Sequence, residues 1–140
     1  MSAFVVDASV AVKWLLPEPH DKEALRLARG GHDLLVPDLL FTEVSSALLK
    51  RVRRQEATIA EATRAMEHLG ALTMQIHPAQ PLLPLALELA VRFGRSIYDS
   101  VYLAIAVIRH CPVVTADRRL HDALAEGPLR SHVLWVADLA

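Results

Sequence analysis

Phe4-Val5-Val6-Asp7-Ala8-Ser9-Val10-Ala11-Val12-Lys13-Trp14-Leu15-Leu16-Pro17 is the stretch on which the fold turns. Three apolar residues in succession, Phe4 to Val6, predict a strand buried on both faces, as in a parallel sheet with helices above and below it. The run stops at Asp7. A short helix over 9–16 follows and is ended by Pro17 and Pro19, neither of which can continue it.

The same exchange of short apolar strands for longer helical patterns recurs along the chain. Strands are predicted at 34–36, 74–77, 112–115 and 132–136, and helices at Asp21–Arg29, 38–54, 58–72, 81–93, 96–110 and 117–125. Gly30-Gly31 breaks the Asp21–Arg29 helix, and Gly94 ends the one entered through Pro81 and Pro84. Thr58 followed by Glu61 has the spacing of a capping box. In the 38–54 helix, Leu40, Val44, Ala47, Leu48 and Val52 share an apolar stripe, while Lys50, Arg51, Arg53 and Arg54 crowd the last turns, where cations complement the helix dipole. The 96–110 segment is apolar almost all round and predicts a central buried helix. Strands alternating with helices imply an α/β fold: one domain over 1–140 with a central, mostly parallel sheet of four to five strands flanked by helices.

Composition bounds the function. The 140 residues and 15.4 kDa suit one domain, and 53% hydrophobic against 22% charged residues excludes a disordered chain. Mean hydropathy is +0.29, yet the longest apolar run, 101–108, is far short of the roughly 18 residues a bilayer span requires. Asp7 and Lys13 interrupt the apolar N-terminus, and no basic segment precedes it, so no secretion signal is expected. Cys111 is the only cysteine, which fits a reducing cytoplasm. Fifteen Lys and Arg against sixteen Asp and Glu give a net charge of -1. That excludes a protein basic over its whole surface but leaves room for a local basic strip. So apolar a chain with so little surface also predicts a buried subunit interface.

Four carboxylates stand where the apolar pattern does not call for them. Asp7 ends the first strand and Asp117 follows the Val113-Val114-Thr115 strand, so both mark carboxyl ends of strands, where open parallel sheets bind ligands. Glu43 flanks the apolar stripe of its helix. Asp99 lies in the first turn of the apolar helix among Ile97, Tyr98, Val101 and Tyr102. Each also has a purely structural role open to it: Asp7 and Asp117 as helix N-caps, Asp99 against a helix dipole, Glu43 at a helix edge. If all four face one cleft, their like charges raise one another's pKa, and a divalent cation removes that cost. A donor set of carboxylates alone favours a hard ion, Mg2+ or Mn2+, over zinc. Such an ion suits phosphodiester hydrolysis.

Four segments, Asp7-Ala8-Ser9, Phe41-Thr42-Glu43-Val44, Tyr98-Asp99-Ser100-Val101-Tyr102-Leu103-Ala104 and Val114-Thr115-Ala116-Asp117-Arg118-Arg119-Leu120, resemble in order the acidic motifs of PIN domains. The chain length and the Lys13-Trp14 pair resemble the VapC-type toxins of toxin–antitoxin pairs. The resemblance implies a PIN-like fold and a Mg2+- or Mn2+-dependent endoribonuclease leaving 5′-phosphates. Asp7, Glu43, Asp99 and Asp117 would form its acidic pocket, with Asp7 and Asp99 as the direct ligands and Ser9 and Thr115 as supporting hydroxyls. It further implies a basic rim for RNA, for which Lys13, Arg118 and Arg119 are candidates along with Lys50, Arg51, Arg53 and Arg54. A VapB-type antitoxin, a toxin homodimer and a cytoplasmic location are implied as well. The alternative is a catalytically silent PIN-like module that binds RNA or protein.

Other chemistries lack their signatures. The seven histidines show no paired metal-ligand spacing, and no nucleophile elbow, Walker A loop or dinucleotide fingerprint is present. Trp14, Tyr98 and Tyr102 are expected in the core or an interface, and Cys111 as a small buried residue.

Overall fold

The computed structural model describes residues 2–139. Its elements run β1 (Ala3–Val6), α1 (Ala8–Leu15), α2 (Asp21–Arg29), β2 (Asp33–Pro37), α3 (Leu39–Arg53), α4 (Ile59–Gly70), β3 (Gln75–His77), α5 (Leu83–Phe93), α6 (Ile97–Arg109), β4 (Val113–Thr115), α7 (Arg118–Leu124) and β5 (Val133–Trp135). The five strands form one sheet in the order β3-β2-β1-β4-β5, and every pairing is parallel. The predicted α/β class and sheet hold, and the fifth strand belongs to the sheet.

β1 lies at the centre, which explains its unbroken apolar run: Val5 and Val6 are fully buried. From β1 the chain builds outward through β2 to β3 on one side, then returns and builds through β4 to β5 on the other. The carboxyl ends of β1 and β4 therefore flank the point where strand order reverses, the crevice that open parallel sheets offer to ligands. Helix α6 packs on β1, β2 and β4 with α5 against it. Accordingly Ser100 through Ala106 are all buried. Helices α1 and α2 are tied together by Trp14, whose indole donates to the Ala24 carbonyl at 2.7 Å.

Several element ends differ from the reading of the sequence, each for a local reason. The last strand shortens to three residues because it pairs residue for residue with a β4 of the same length, and 3-10 turns take up its flanks. Pro81 sits in a separate 3-10 turn, Gln80–Leu82, so α5 begins only at Leu83. Gly94 closes α5 in the left-handed conformation at φ 64°, which a residue with a Cβ adopts only at a cost. Ser96 then caps α6 by accepting from the Asp99 amide at 3.0 Å.

The Thr58–Glu61 capping box is formed in both directions. Thr58→Ala removes the hydroxyl acceptor and is expected to lower the melting temperature by about 2–4 °C. Differential scanning calorimetry checks this; an unchanged melting point would mean that α4 is held by packing against α3 alone.

Candidate active site

Asp7 is 7% exposed, at the end of β1. Its Oδ2 accepts from Ser9 Oγ at 2.5 Å and from Thr115 Oγ1 at 2.9 Å. Each hydroxyl has one proton, and each gives it to Asp7. The hydroxyl oxygens in turn accept backbone amides, Ala116 N onto Ser9 at 3.0 Å and Asp117 N onto Thr115 at 3.0 Å. The start of α1 and the end of β4 are thereby fastened to the same carboxylate. Asp7 occupies the N-cap position of α1 but makes no side-chain cap bond to the backbone; its carboxylate instead takes hydroxyls from Ser9 of its own helix and from Thr115 across the sheet.

Asp117 is a helix N-cap that also sits close to two other acids. Its Oδ1 accepts from Arg119 N at 3.0 Å as the N-cap of α7, and its charge bears on both Asp7 and Asp99. Burial is the main reason the Asp7 carboxyl lies above the usual range; its two hydroxyl partners pull it down, and Asp117 pushes it further up. Asp99 is also raised, by burial first and then by Asp7 and Asp117. Arg95 opposes this from 3.9 Å. Glu43 is raised by burial, with Asp7 and Asp99 adding to the effect. Asp7 and Asp99 are thus within electrostatic reach of both Glu43 and Asp117 at the switch point.

Glu43 Oε1 is buried without a well-formed hydrogen bond, although the neighbouring Tyr102 hydroxyl, also buried, is near enough to pull the carboxyl's pKa down. A buried carboxylate oxygen so weakly partnered, with other acids near it, is costly unless a cation or a bound polar group compensates it. Among the described residues, no three His, Cys, Asp or Glu side chains are gathered tightly enough to hold an ion by themselves. The donor set fits a hard, largely hydrated cation such as Mg2+, which commonly takes one or two carboxylates and keeps its waters. It does not suit a closed site of zinc type.

The cations predicted for a rim divide by environment. Lys13 is buried, and its amine is spent internally, on Glu18 Oε1 at 3.2 Å and the Pro19 carbonyl at 2.7 Å. Arg51 pairs with the same Glu18 and with Glu56 at 3.6 Å. Lys50, Arg51 and Arg54 line an open groove that starts at Glu43. Positions 43, 47, 50, 51 and 54 recur at helical spacing, which puts the groove on one face of α3; Arg53 falls outside it. Arg118 and Arg119 are exposed beside Asp117. Reasoning from sequence missed Arg95 as a partner of Asp99, although the four-residue separation in front of a helix was a usable signal. It also left Tyr102 without a role beyond packing.

Comparison with known proteins places the chain in a family. A PIN domain is matched over residues 4–125. Ribonuclease VapC9 of Mycobacterium tuberculosis is 33% identical over 118 residues, covering 84% of this chain and 88% of that protein. Ribonuclease VapC3 of Pyrobaculum aerophilum is 31% identical over 120 residues, 84% and 92% respectively. Among solved structures, PAE2754 from Pyrobaculum aerophilum superposes with a TM-score of 0.73 at 23% identity, over 99% of this chain and 86% of that one. VapBC2 from Rickettsia felis, bound to a DNA fragment from its promoter, gives 0.61 at 10% identity over 95% and 98%.

Proposed function

This chain belongs to the PIN-domain family and is related to the VapC ribonucleases, and from that premise we propose that it is a Mg2+- or Mn2+-dependent endoribonuclease, the toxin of a type II toxin–antitoxin pair. The observation that supports the reading best is the mutual electrostatic influence at the switch point, where Asp7 bears on Glu43 and Asp99, and Asp117 on Asp7 and Asp99, beside a buried Glu43 oxygen without a well-formed bond.

Asp7 and Asp99 would hold the cation, with Glu43 and Asp117 ligating it or acting through water. The ion supplies Lewis-acid neutralisation of charge on the phosphate oxygens. Ser9 and Thr115 keep Asp7 in one orientation by spending both their protons on one oxygen. Glu43, whose proton affinity is raised by burial and by its acidic neighbours, is placed to take a proton from the attacking water. The basic face of α3 that leads away from Glu43 suits an RNA backbone, whose binding would weaken as salt rises.

The remaining assignments rest on the family and the surface. The likeness to VapBC2 supports a VapB-type antitoxin as partner, and a basic side chain of its tail would complement the acids. One domain over 1–140 and a cytoplasmic location, in keeping with the unpaired Cys111, complete the reading. No helix among the described residues is long and apolar enough to cross a membrane. On α5, Leu83, Leu87 and Val91 are 38%, 59% and 84% exposed at four-residue spacing, an apolar stripe that suits a homodimer. Leu87→Glu with Val91→Glu is expected to convert a dimer to a monomer in sedimentation velocity. An unsubstituted chain that sediments as a monomer would remove the dimer from the proposal.

Incubating the chain with RNA and mapping the new ends tests the activity. Cleavage leaving 5′-phosphates, abolished by EDTA and restored by Mg2+ or Mn2+, is expected. RNA that is bound but never cut would favour the silent binding module.

A further inference from the structure

The β5 flank of the cleft carries side chains for which the chemistry above has no use. Thr115 and Trp135 are register partners on neighbouring parallel strands. Such partners project to the same sheet face, about 4.8 Å apart. Thr115 uses that face to hold Asp7, so Trp135 stands one strand beyond the acid. Arg118, the residue after Asp117, stacks its guanidinium 3.9 Å from the centre of the indole. His20 and His121 approach the same indole with ring centres 6.0 and 5.9 Å away and interplanar angles of 77° and 60°.

Packing alone accounts poorly for this cluster. Arg118 is exposed, and the His20 side chain is 42% exposed. Yet His20 is held at φ 64°, a backbone region that residues with a Cβ rarely adopt and that tends to persist at functional positions. An exposed ring buries little apolar area in return. In a chain where aromatics make up only 5% of residues, a partly exposed indole seated on the core and flanked by two imidazoles and an exposed guanidinium, next to a nuclease-like cleft, has the composition of a base-stacking platform. A guanidinium lying flat on a ring directs its N–H donors outward in its own plane, where a phosphate can be gripped.

We propose that Trp135, His20, His121 and Arg118 form a nucleotide subsite beside the acidic cleft. A base of the RNA flanking the scissile bond stacks in the aromatic cluster, and the in-plane donors of Arg118 hold the adjoining phosphate. This rests on the ribonuclease reading and deepens it, by assigning base selection to the β5 edge.

The test uses the full chain carrying Asp99→Asn to suppress cleavage, titrated with short ribo-oligonucleotides and with matched oligonucleotides containing one abasic position. Of the two tryptophans, Trp14 is buried and bonded to Ala24, so a fluorescence change on adding RNA reports Trp135. Quenching is expected, with affinity about tenfold weaker when the stacked base is missing. By fluorescence anisotropy of labelled RNA, Trp135→Leu and His20→Ala each weaken the intact oligonucleotide about tenfold and leave the abasic one unchanged. With Asp99 restored, both substitutions shift the base preferred at one fixed position beside the cut.

His20→Ala, in an exposed turn, keeps the test valid if Trp135→Leu does not fold. Equal affinity for intact and abasic RNA, with a cleavage map unmoved by His20→Ala, would reduce the cluster to packing of α7 on β5. Cleavage that persists with an unmoved map sinks the subsite alone. Discrimination against abasic RNA by a chain that cuts nothing sinks the ribonuclease reading and leaves the subsite standing.

Discussion

Asp99→Asn is expected to lower RNA cleavage by about a thousandfold or more while raising the melting temperature of the metal-free protein by about 2–4 °C. The two effects share one cause. Asp99 is held above the ordinary carboxylate range by burial and then by Asp7 and Asp117, and Arg95 only partly offsets this. The net direction shows that its ionised form is less favourable in the fold than in the unfolded chain. Asparagine keeps the shape and removes the charge, so the metal-free fold is relieved of a crowded carboxylate while the cleft loses a proposed cation ligand. The Arg95 pair lost in the exchange is 3.9 Å long and partly exposed, so its loss costs little. Calorimetry in EDTA and a labelled-RNA assay read the two effects separately. A variant that melts lower would make Asp99 the anchor of a structural ion pair with Arg95, and full activity would remove it from the chemistry.

The acids were legible in sequence because each interrupts a pattern. An apolar strand that stops at Asp7, and a carboxylate in the first turn of a helix apolar on all sides, conflict with local packing, and such conflicts tend to mark function. Strand order was not legible: adjacency of β1 and β4 depends on crossovers that no local pattern encodes, and it is this adjacency that brings Thr115 onto Asp7. Capping α7 does not set Asp117 apart from the other acids, because one oxygen serves the cap while its charge still bears on Asp7 and Asp99.

Side-chain destinations were the least legible. Lys13 looked like a surface cation, but the turn at Pro17 and Pro19 brings Glu18 and a carbonyl back over its amine. The cations of α3 looked like a solvated end. Their period was visible all along, and only the position of Glu43 on the same face gives that face a direction. His20 was set aside for want of a partner at ligand spacing. Its partner, Trp135, lies more than a hundred residues away and meets it through a left-handed turn that sequence does not announce.

Mg2+ at about a hundred times its dissociation constant is expected to raise the melting temperature by about 5–10 °C at pH 7.5 and by almost nothing at pH 4.5. The sign follows from Asp7, Glu43 and Asp99, all of which have folded-state pKa values raised above the ordinary range. A group raised in the fold binds its proton more tightly there than in the unfolded chain. Its contribution to stability is therefore fully present below the unfolded value near pH 4 and is lost as pH rises through the folded value. Raising the pH drives these carboxylates toward ionisation, where they are crowded and most destabilising, which is when a divalent cation relieves the most repulsion. Toward pH 4.5 protons compete with the cation for the same oxygens, so its stabilisation, about 2.7 kcal/mol at a hundred times the dissociation constant, fades. Other carboxylates also titrate in this range, so the quantity to follow is the difference between melting curves with Mg2+ and with EDTA at each pH. Asp99→Asn should shrink that difference at pH 7.5. A Mg2+ increment that is flat from pH 4.5 to 7.5, or equal in the variant, would place any bound cation away from these acids.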